Sequence, residues 1–581
     1  MPFKNDFVYI HKKGKRRKRK SMKKNLFWII IIIAVLVRLV YFFQIKDHFL
    51  FKQPILDAKY YHTWAVEIAK GDWIGKSRGV FMMSPGYSYF LGSLYKVFGV
   101  NISLVILLQF LLGIFTGVLI FKIVKKYFST TAGYLGMVFY LFYSIAIFYE
   151  STLLKTSLIN FLNIWGLFLL MSGGAISCLV SGALFGFSVH LRPNILIFLP
   201  FAVLWLLKEK KIKPALVFTL GVFLILLPVA YRNYKVGGEF VFSTAHGGMN
   251  LYTGNSEYCK GPYTPLAFAR TDPEVEQGDF MREANRRSGK NLTPKQSSSF
   301  WYNEAIKYMS SHPADWIALM SKKVLIFFNS YEPPINLDYY FFKEEYKSIL
   351  SFPMFGYGLI LPLAVIGIVF GPLNFITLSY LLIYFVSGVV FFVVSEYRFP
   401  IAPVLCIYAG LGAEYLYRKY KKNSMSSFYA AATLLILLLF GVNYDIYSEV
   451  FGYPKYKQAN LANSYFGLGV TYDDSGHTNE AIETYKKAIS IMPQSGPMVN
   501  LANIYEKQGN FDEAEKIYMQ AIRYNPNSPE PYNNLGSILY KKGNYENAEK
   551  CFERAVALGQ YFEEAKKNLL ITQNTLKSRK K

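Results

Sequence analysis

The chain has 581 residues, 52% hydrophobic and only 18% charged, with several uncharged runs near the length of a bilayer crossing; that excludes an ordinary soluble domain. Its net charge of +26 invites a polyanion partner, but residues 1–25 alone hold eleven Lys/Arg against one Asp, directly before the first apolar span. A basic arm so placed keeps the N-terminus in the cytoplasm and touches anionic headgroups, so membrane lipid, and no nucleic acid, is the expected partner.

Apolar runs predict eleven transmembrane helices at 26–45, 102–121, 130–149, 153–171, 174–190, 195–207, 214–231, 353–371, 374–394, 401–417 and 427–444. With the N-terminus inside, Lys122/Lys125/Lys126, Lys208/Lys210/Lys211/Lys213 and Arg418/Lys419/Lys421/Lys422 fall on inner loops, as the positive-inside rule requires. The odd span count then puts the C-terminus outside the cytoplasm. Segment 81–99, with Pro85, Gly86 and several aromatics, reads as an interfacial helix rather than a span.

The first outer loop, 46–101, carries Asp57 followed by Tyr60 and Tyr61. An acid at a membrane exit suits chemistry on a lipid headgroup; the plainer reading is a cap on a helix starting at Ala58. Glu150 ends the third span in Phe148-Tyr149-Glu150, where it serves a site or pairs with Lys155. Arg38, Arg192 and Arg398 sit near outer span ends, so each faces a polar cavity, an anionic ligand or headgroup phosphate. The second large loop, 232–352, is too long for a connector. It holds His246-Gly247-Gly248-Met249-Asn250 and Gly254-Asn255, whose polar and glycine residues suit sugar contact or an ordered lid. Four scattered cysteines show no CxxC or His-partnered spacing, so no disulfide framework or zinc site is signalled.

After residue 455 the pattern changes. Gly476, Gly509 and Gly543 recur at about one repeat length, as do Ala481, Ala514 and Ala548, beside Tyr465-x-x-Leu468-Gly469-x-x-Tyr472 and Tyr532-x-x-Leu535-Gly536. This is the tetratricopeptide signature: repeats at 462–495, 495–528 and 529–562, with a capping helix over 561–577. Its seventeen basic and fourteen acidic residues over 455–581 make it no polyanion binder; a groove for a peptide-like partner and self-packing both remain open.

The order of these features resembles the polytopic glycosyltransferases of the GT-C class, among them the dolichyl-phosphate-mannose-protein mannosyltransferases and the aminoarabinose transferases. The resemblance runs over residues 26–445 by span layout, with local matches at 57–61, 84–99, 192–194, 247–255 and 396–403. The chain departs from both families, having Asp57-Ala58 in place of an Asp-Glu pair and Ser84-Pro85-Gly86 in place of Lys-Pro-Pro. The resemblance implies an all-α fold: a basic arm (1–25), a GT-C-like transmembrane domain (26–445) and an extracytoplasmic repeat domain (455–581). It further implies an inverting transferase in a bacterial inner or plasma membrane. Sugar would pass from a polyprenyl-phosphate donor to a protein, envelope glycan or lipid acceptor. In that scheme Asp57 is the base and Glu150 the second acid, with Arg192, Arg398 and Arg38 on the donor phosphate. Tyr60, Tyr61, His246, Asn250 and Asn255 contact substrate. No metal ligand is assigned and a divalent cation is left open. The rival readings are a membrane-anchored repeat scaffold and a transporter of lipid-linked sugar.

Overall fold

The structure, a computed structural model, describes residues 4–266, 268–270, 272–559 and 563–579, with side chains described from residue 25 onward. The side chains of the basic arm up to residue 24, and the start of the expected capping helix at 561–562, lie outside the described residues. Among the described residues the chain is helical throughout, with no strand and a single isolated bridge, Tyr143 to Phe355. It divides into two compact units, Met1–Ile446 and Tyr447–Lys581.

In the first unit five helices are long and apolar enough to cross a membrane: Asn25–Ile45, Ile102–Tyr127, Ile212–Gly237, Ser395–Lys421 and Met425–Asn443. Shorter apolar helices occupy Ala175–Leu191, Pro193–Lys208, Tyr357–Phe370 and Phe375–Val390. Every expected span therefore falls on helix, but eleven uniform crossings are not what the chain forms. The expected span 130–149 is two helices, Thr130–Leu141 and Ser144–Ser151. The cause is a diversion of backbone bonding: the Ser144 N–H donates to the Phe355 carbonyl (3.1 Å) and the Phe355 N–H to the Phe142 carbonyl (3.1 Å). Ser144–Ser151 instead joins Thr156–Ser172 as a pair bent by 116°. Buried Gln109 satisfies the carbonyls freed there, its Nε2 donating to those of Glu150 (3.0 Å) and Thr152 (2.8 Å).

Small residues let the apolar helices approach closely. A Cβ on Gly182 would collide with the Phe218 carbonyl and one on Gly221 with that of Leu179, which locks Ala175–Leu191 against Ile212–Gly237. The long loop after that helix is built rather than trailing. Thr293 and Gln296 form a capping box on Pro294–Ser311. Trp301 stacks on Phe268 (5.5 Å between centroids) in a core with Tyr252 and Phe280.

The second unit is a run of helical hairpins: Tyr456–Asp474 with Thr478–Ile491, Ser495–Lys507 with Phe511–Tyr524, and Pro529–Lys541 with Tyr545–Leu558, then Glu563–Arg579. Gly476, Gly509 and Gly543 turn each hairpin at φ of 78°, 79° and 80°, a region costly to any residue with a Cβ. Buried Ala481, Ala514 and Ala548 let paired helices meet, and Tyr485 and Phe552 fill the space over Gly469 and Gly536.

Candidate functional site

Asp57 stands in the first turn of Leu56–Ala69. Its carboxylate does not cap that helix. Ile55 at the N-cap offers no side-chain bond, and the Asp57 N–H donates to Asn336 Oδ1 from the far loop (3.3 Å). Leu56 holds φ 50°, a left-handed conformation rare for a branched residue, so the entry to this helix stores strain beside Asp57.

Asn336 ties Asp57 to a second acid, its Nδ2 donating to Asp57 Oδ2 (3.3 Å) and Glu396 Oε2 (2.9 Å). Glu396 is buried and ion-paired with Arg192, whose Nη2 lies 2.6 Å from Oε1, while Nη1 donates to the Glu396 carbonyl (2.9 Å). The Arg192 guanidinium also lies over the Tyr397 ring at 4.3 Å. From another side Lys155, at the break before Thr156–Ser172, donates to the Tyr61 hydroxyl (2.7 Å). Lys155 and Asp57 each make no ion pair among the described residues. Burial, reinforced by the Glu396 carboxylate, raises the Asp57 pKa above its ordinary value; Lys155, the Asn336 bond and Arg192 pull the other way. Glu276 approaches on the loop helix Pro273–Ser288, accepts from the Tyr263 hydroxyl (3.2 Å), and is pushed up to about 7, chiefly by burial and also by Asp57.

The structure places the other candidates less evenly. Tyr61 belongs to this cluster through Lys155, whereas Tyr60 carries the Arg78 guanidinium at 5.2 Å, on a charge already paired with Glu67. His246 is held at about 4 by burial and then by Lys155, and its Nδ1 is buried without a partner. Asn250 lies in the short helix Gly247–Gly254 with no side-chain hydrogen bond among the described residues. Asn255 is fully buried and engaged in structure: it donates to the Leu251 and Val390 carbonyls and accepts from Trp316 Nε1.

Three expected roles need correction. Glu150 is not at the Asp57 cluster: it is fully buried against Arg38, with Nε to Oε2 at 2.7 Å and Nη2 to Oε1 at 3.0 Å. A Cβ on Gly113 would collide with that carboxylate, so the helix Ile102–Tyr127 is hollowed to admit the pair. Arg38 is thereby withdrawn from any phosphate, its Nη1 donating to the Leu141 carbonyl (3.0 Å). Arg398 is equally enclosed, paired with Glu332 (2.6 Å) and donating to the carbonyls of Phe327 (3.0 Å), Asn329 and Tyr331 (2.9 Å). Both arginines clamp irregular backbone instead of presenting donors to a ligand.

Sequence reasoning missed Glu396, Asn336, Lys155 and Glu276 as members of the site. The available signals were an acid at the start of an apolar span, and a lysine at the break between two apolar runs. An apolar crevice adjoins the cluster, lined by Leu50, Phe51, Ile55, Ala58, Ile106 and Leu154, with Asn336 at its edge. A larger cavity of about 400 Å³ lies apart from Asp57, between Tyr339, Tyr340, Tyr357 and Asn443.

Residues 83–231 match the family described as dolichyl-phosphate-mannose-protein mannosyltransferase, and residues 462–495, 502–543 and 529–562 match tetratricopeptide repeat families. No curated protein sequence matches the chain. Among solved structures, the Archaeoglobus fulgidus oligosaccharyltransferase, tethered to an acceptor peptide, aligns at 12% identity and TM-score 0.40, over 81% of this chain and 59% of that one. ArnT from Cupriavidus metallidurans, bound to undecaprenyl phosphate, aligns at 13% identity and TM-score 0.30, over 68% of this chain and 79% of that one. The first tetratricopeptide domain of Spaghetti (RPAP3), bound to an HSP90 peptide, aligns at 26% identity and TM-score 0.19, over 20% of this chain and 92% of that one. The chain thus joins a mannosyltransferase-family segment, set among apolar membrane-type helices, to tetratricopeptide repeats.

Proposed function

We propose that this membrane glycosyltransferase moves a sugar from a polyprenyl-phosphate donor to a protein acceptor at the extracytoplasmic face. The observation that carries the reading is the Asp57 cluster: an acid with a raised pKa and no ion pair, near a half-buried lysine held by the Tyr61 hydroxyl. The family matched over 83–231 is described by a dolichyl-phosphate sugar donor and a protein acceptor, chemistry that this cluster suits.

In the mechanism, Asp57 takes the proton of the acceptor hydroxyl. The hydroxyl oxygen bonds to the anomeric carbon while the bond from that carbon to the phosphate oxygen breaks. Polyprenyl phosphate leaves with the electron pair, and the single displacement inverts the carbon. Lys155 stands where charge grows on the leaving phosphate, and its ammonium stabilises that charge in a site partly shielded from water. Arg192 acts at one remove: by holding Glu396 and stacking on Tyr397 it positions Asn336 and hence Asp57. The positive inner loops and the basic arm support the assignment of Asp57 to the outer face.

The test uses inverted and right-side-out vesicles carrying the protein or its Asp57→Asn variant, supplied with radiolabelled polyprenyl-phosphate sugars. Label should enter protein on the outer face and fall by roughly 10²–10⁴-fold in Asp57→Asn at equal protein level. Full transfer by that variant would remove Asp57 from the chemistry.

A further inference from the structure

The cavity of about 400 Å³ that lies apart from Asp57 falls in the size range of small-molecule sites. It sits where the last turn of Met425–Asn443 and the first turn of Tyr357–Phe370 meet the loop 330–356. The two helices contribute Leu439, Asn443 and Leu359, and the loop contributes Tyr339, Tyr340 and Lys343. Met425–Asn443 leaves Ile436, Leu437 and Phe440 exposed, a bare apolar face that suits acyl chains, and Phe352 stands exposed at the rim. Tyrosines and a lysine gathered at the ends of two apolar helices are what the headgroup layer of a bilayer favours.

The groups left free in the lining decide what it can hold. Glu332 is closed by Arg398 (2.6 Å) and by the Tyr143 hydroxyl (3.3 Å). The Tyr339 hydroxyl donates to Ser144 Oγ (2.8 Å) and that of Tyr357 to the Phe327 carbonyl (3.2 Å). Three donors stay uncommitted among the described residues. They are the Lys343 ammonium, which makes no ion pair, the Ser330 hydroxyl, and the Tyr340 hydroxyl proton, since that oxygen only accepts from the Glu332 N–H (3.3 Å). The tyrosine rings are already loaded: the Arg398 guanidinium lies over Tyr357 at 3.9 Å, Lys343 over Tyr339 at 5.7 Å, and Tyr331 stacks on Tyr340 at 4.9 Å. A quaternary ammonium therefore meets rings that carry the chain's own cations and no free lining carboxylate. An anion meets one cation and two hydroxyls.

We propose that this cavity binds the phosphodiester headgroup of an anionic phospholipid, with Lys343, Ser330 and Tyr340 on the phosphate and acyl chain along Leu359 and Leu439. The loop that lines it is tied to the Asp57 cluster. The Pro333 carbonyl, directly after Glu332, accepts from the Ser395 N–H (2.8 Å) beside Glu396, and three residues further on Asn336 bonds both Asp57 and Glu396. A bound headgroup therefore steadies the stretch that presents Asn336 to Asp57. That consequence rests on the glycosyltransferase reading; the binding itself does not.

The experiment is native mass spectrometry of the full-length protein, titrated in detergent with phosphatidylglycerol, phosphatidylcholine, polyprenyl phosphate or inorganic phosphate. The first phosphatidylglycerol should bind about fivefold or more tightly than phosphatidylcholine, and Lys343→Gln should remove that preference. Equal binding of the two phospholipids, or a preference that survives Lys343→Gln, overturns the proposal. Displacement of phosphatidylglycerol by equimolar polyprenyl phosphate overturns it in favour of a donor site, and displacement by inorganic phosphate in favour of a free-anion site. In nanodiscs, transfer by the parent should rise about fivefold when phosphatidylglycerol replaces phosphatidylcholine, and Lys343→Gln should abolish the rise. A Lys343-dependent lipid adduct without transfer from any donor would sink the glycosyltransferase reading alone. Transfer without such an adduct would sink the lipid site alone.

Discussion

The first unit contains charge clusters of two kinds, and the proposed function uses one of them. Around Arg38–Glu150 and Arg398–Glu332 every charge meets its opposite at 2.6–2.7 Å, both members are buried, and spare guanidinium donors are closed by backbone carbonyls. Around Asp57 the sums do not close. One ion pair, Arg192–Glu396, sits beside an acid and an amine that have no ionic partner, linked only through Asn336 and Tyr61. Closed pairs hold helices and irregular backbone in register. An open cluster carries shifted proton affinities and free lone pairs, which is what proton transfer and phosphate departure require. Residue type alone separates nothing here, because both kinds are built from the same arginines and carboxylates.

The comparison breaks most visibly if the closed pairs are opened. Glu150→Gln leaves the Arg38 guanidinium buried without its counter-charge, a change that costs about 3–5 kcal/mol. The expected outcome is a steep loss of detergent-solubilised thermal stability and of protein yield. The double change Arg38→Met/Glu150→Leu should recover much of both. If Glu150→Gln were as stable as the parent and yet inactive, the sealed-pair assignment would be wrong.

At the open cluster the opposite pattern is expected. Lys155→Met should lower transfer by roughly 10–10²-fold, given the stabilisation it supplies to the leaving phosphate, with little change in melting. It also has a signed pH consequence. Lys155 pulls the Asp57 pKa down against burial and the Glu396 carboxylate, so its removal should move the acid limb of the pH–rate profile to higher pH. Transfer falls as the pH drops through the Asp57 pKa, since the protonated acid cannot accept the acceptor's proton. A limb that stays in place would detach Lys155 from Asp57.

The smallest effect concerns Glu276. Its carboxyl is raised from 4.5 to about 7 by burial, so its ionisation is a penalty absent below the lower value that grows between the two and is nearly complete above the higher. Glu276→Gln removes the penalty and should raise the melting temperature at pH 8 by about a degree or two while leaving it nearly unchanged at pH 4. It should also move the Asp57 limb slightly toward lower pH, because one negative neighbour is gone. A melting change of equal size at both pH values would mean that Glu276 does not titrate in that range.

These contrasts also explain what the sequence made legible. The repeat unit could be read outright, since glycine, alanine and aromatic positions at one spacing specify a hairpin whose contacts are nearly all local. The apolar helices of the first unit were legible from their runs, except where backbone bonding to Phe355 cut one in two at Tyr143, but the loop helices Pro273–Ser288, Pro294–Ser311 and Pro313–Phe328 were not. Asp57 was legible as an acid at a span exit, but its neighbours were not. Asn336 lies 279 residues from Asp57, and Glu396 lies 204 from Arg192. No local pattern encodes pairings of that reach. Glu150 shows the converse: an acid at an outer span end looks catalytic until its partner, 112 residues away, is seen to be Arg38.

The bend at residues 152–155 reaches beyond the site into how the chain enters its membrane. Ser144–Ser151 is eight residues long, far short of the ~20 needed to cross the hydrocarbon core, so it is no insertion signal on its own. Its C-terminal end and the break after it leave the carbonyls of Glu150 and Thr152, which lipid cannot satisfy, and Gln109 on an earlier helix supplies the bonds. The bent pair thus depends on a side chain from another helix to close its backbone, so Gln109→Ala should loosen the break without touching either helix.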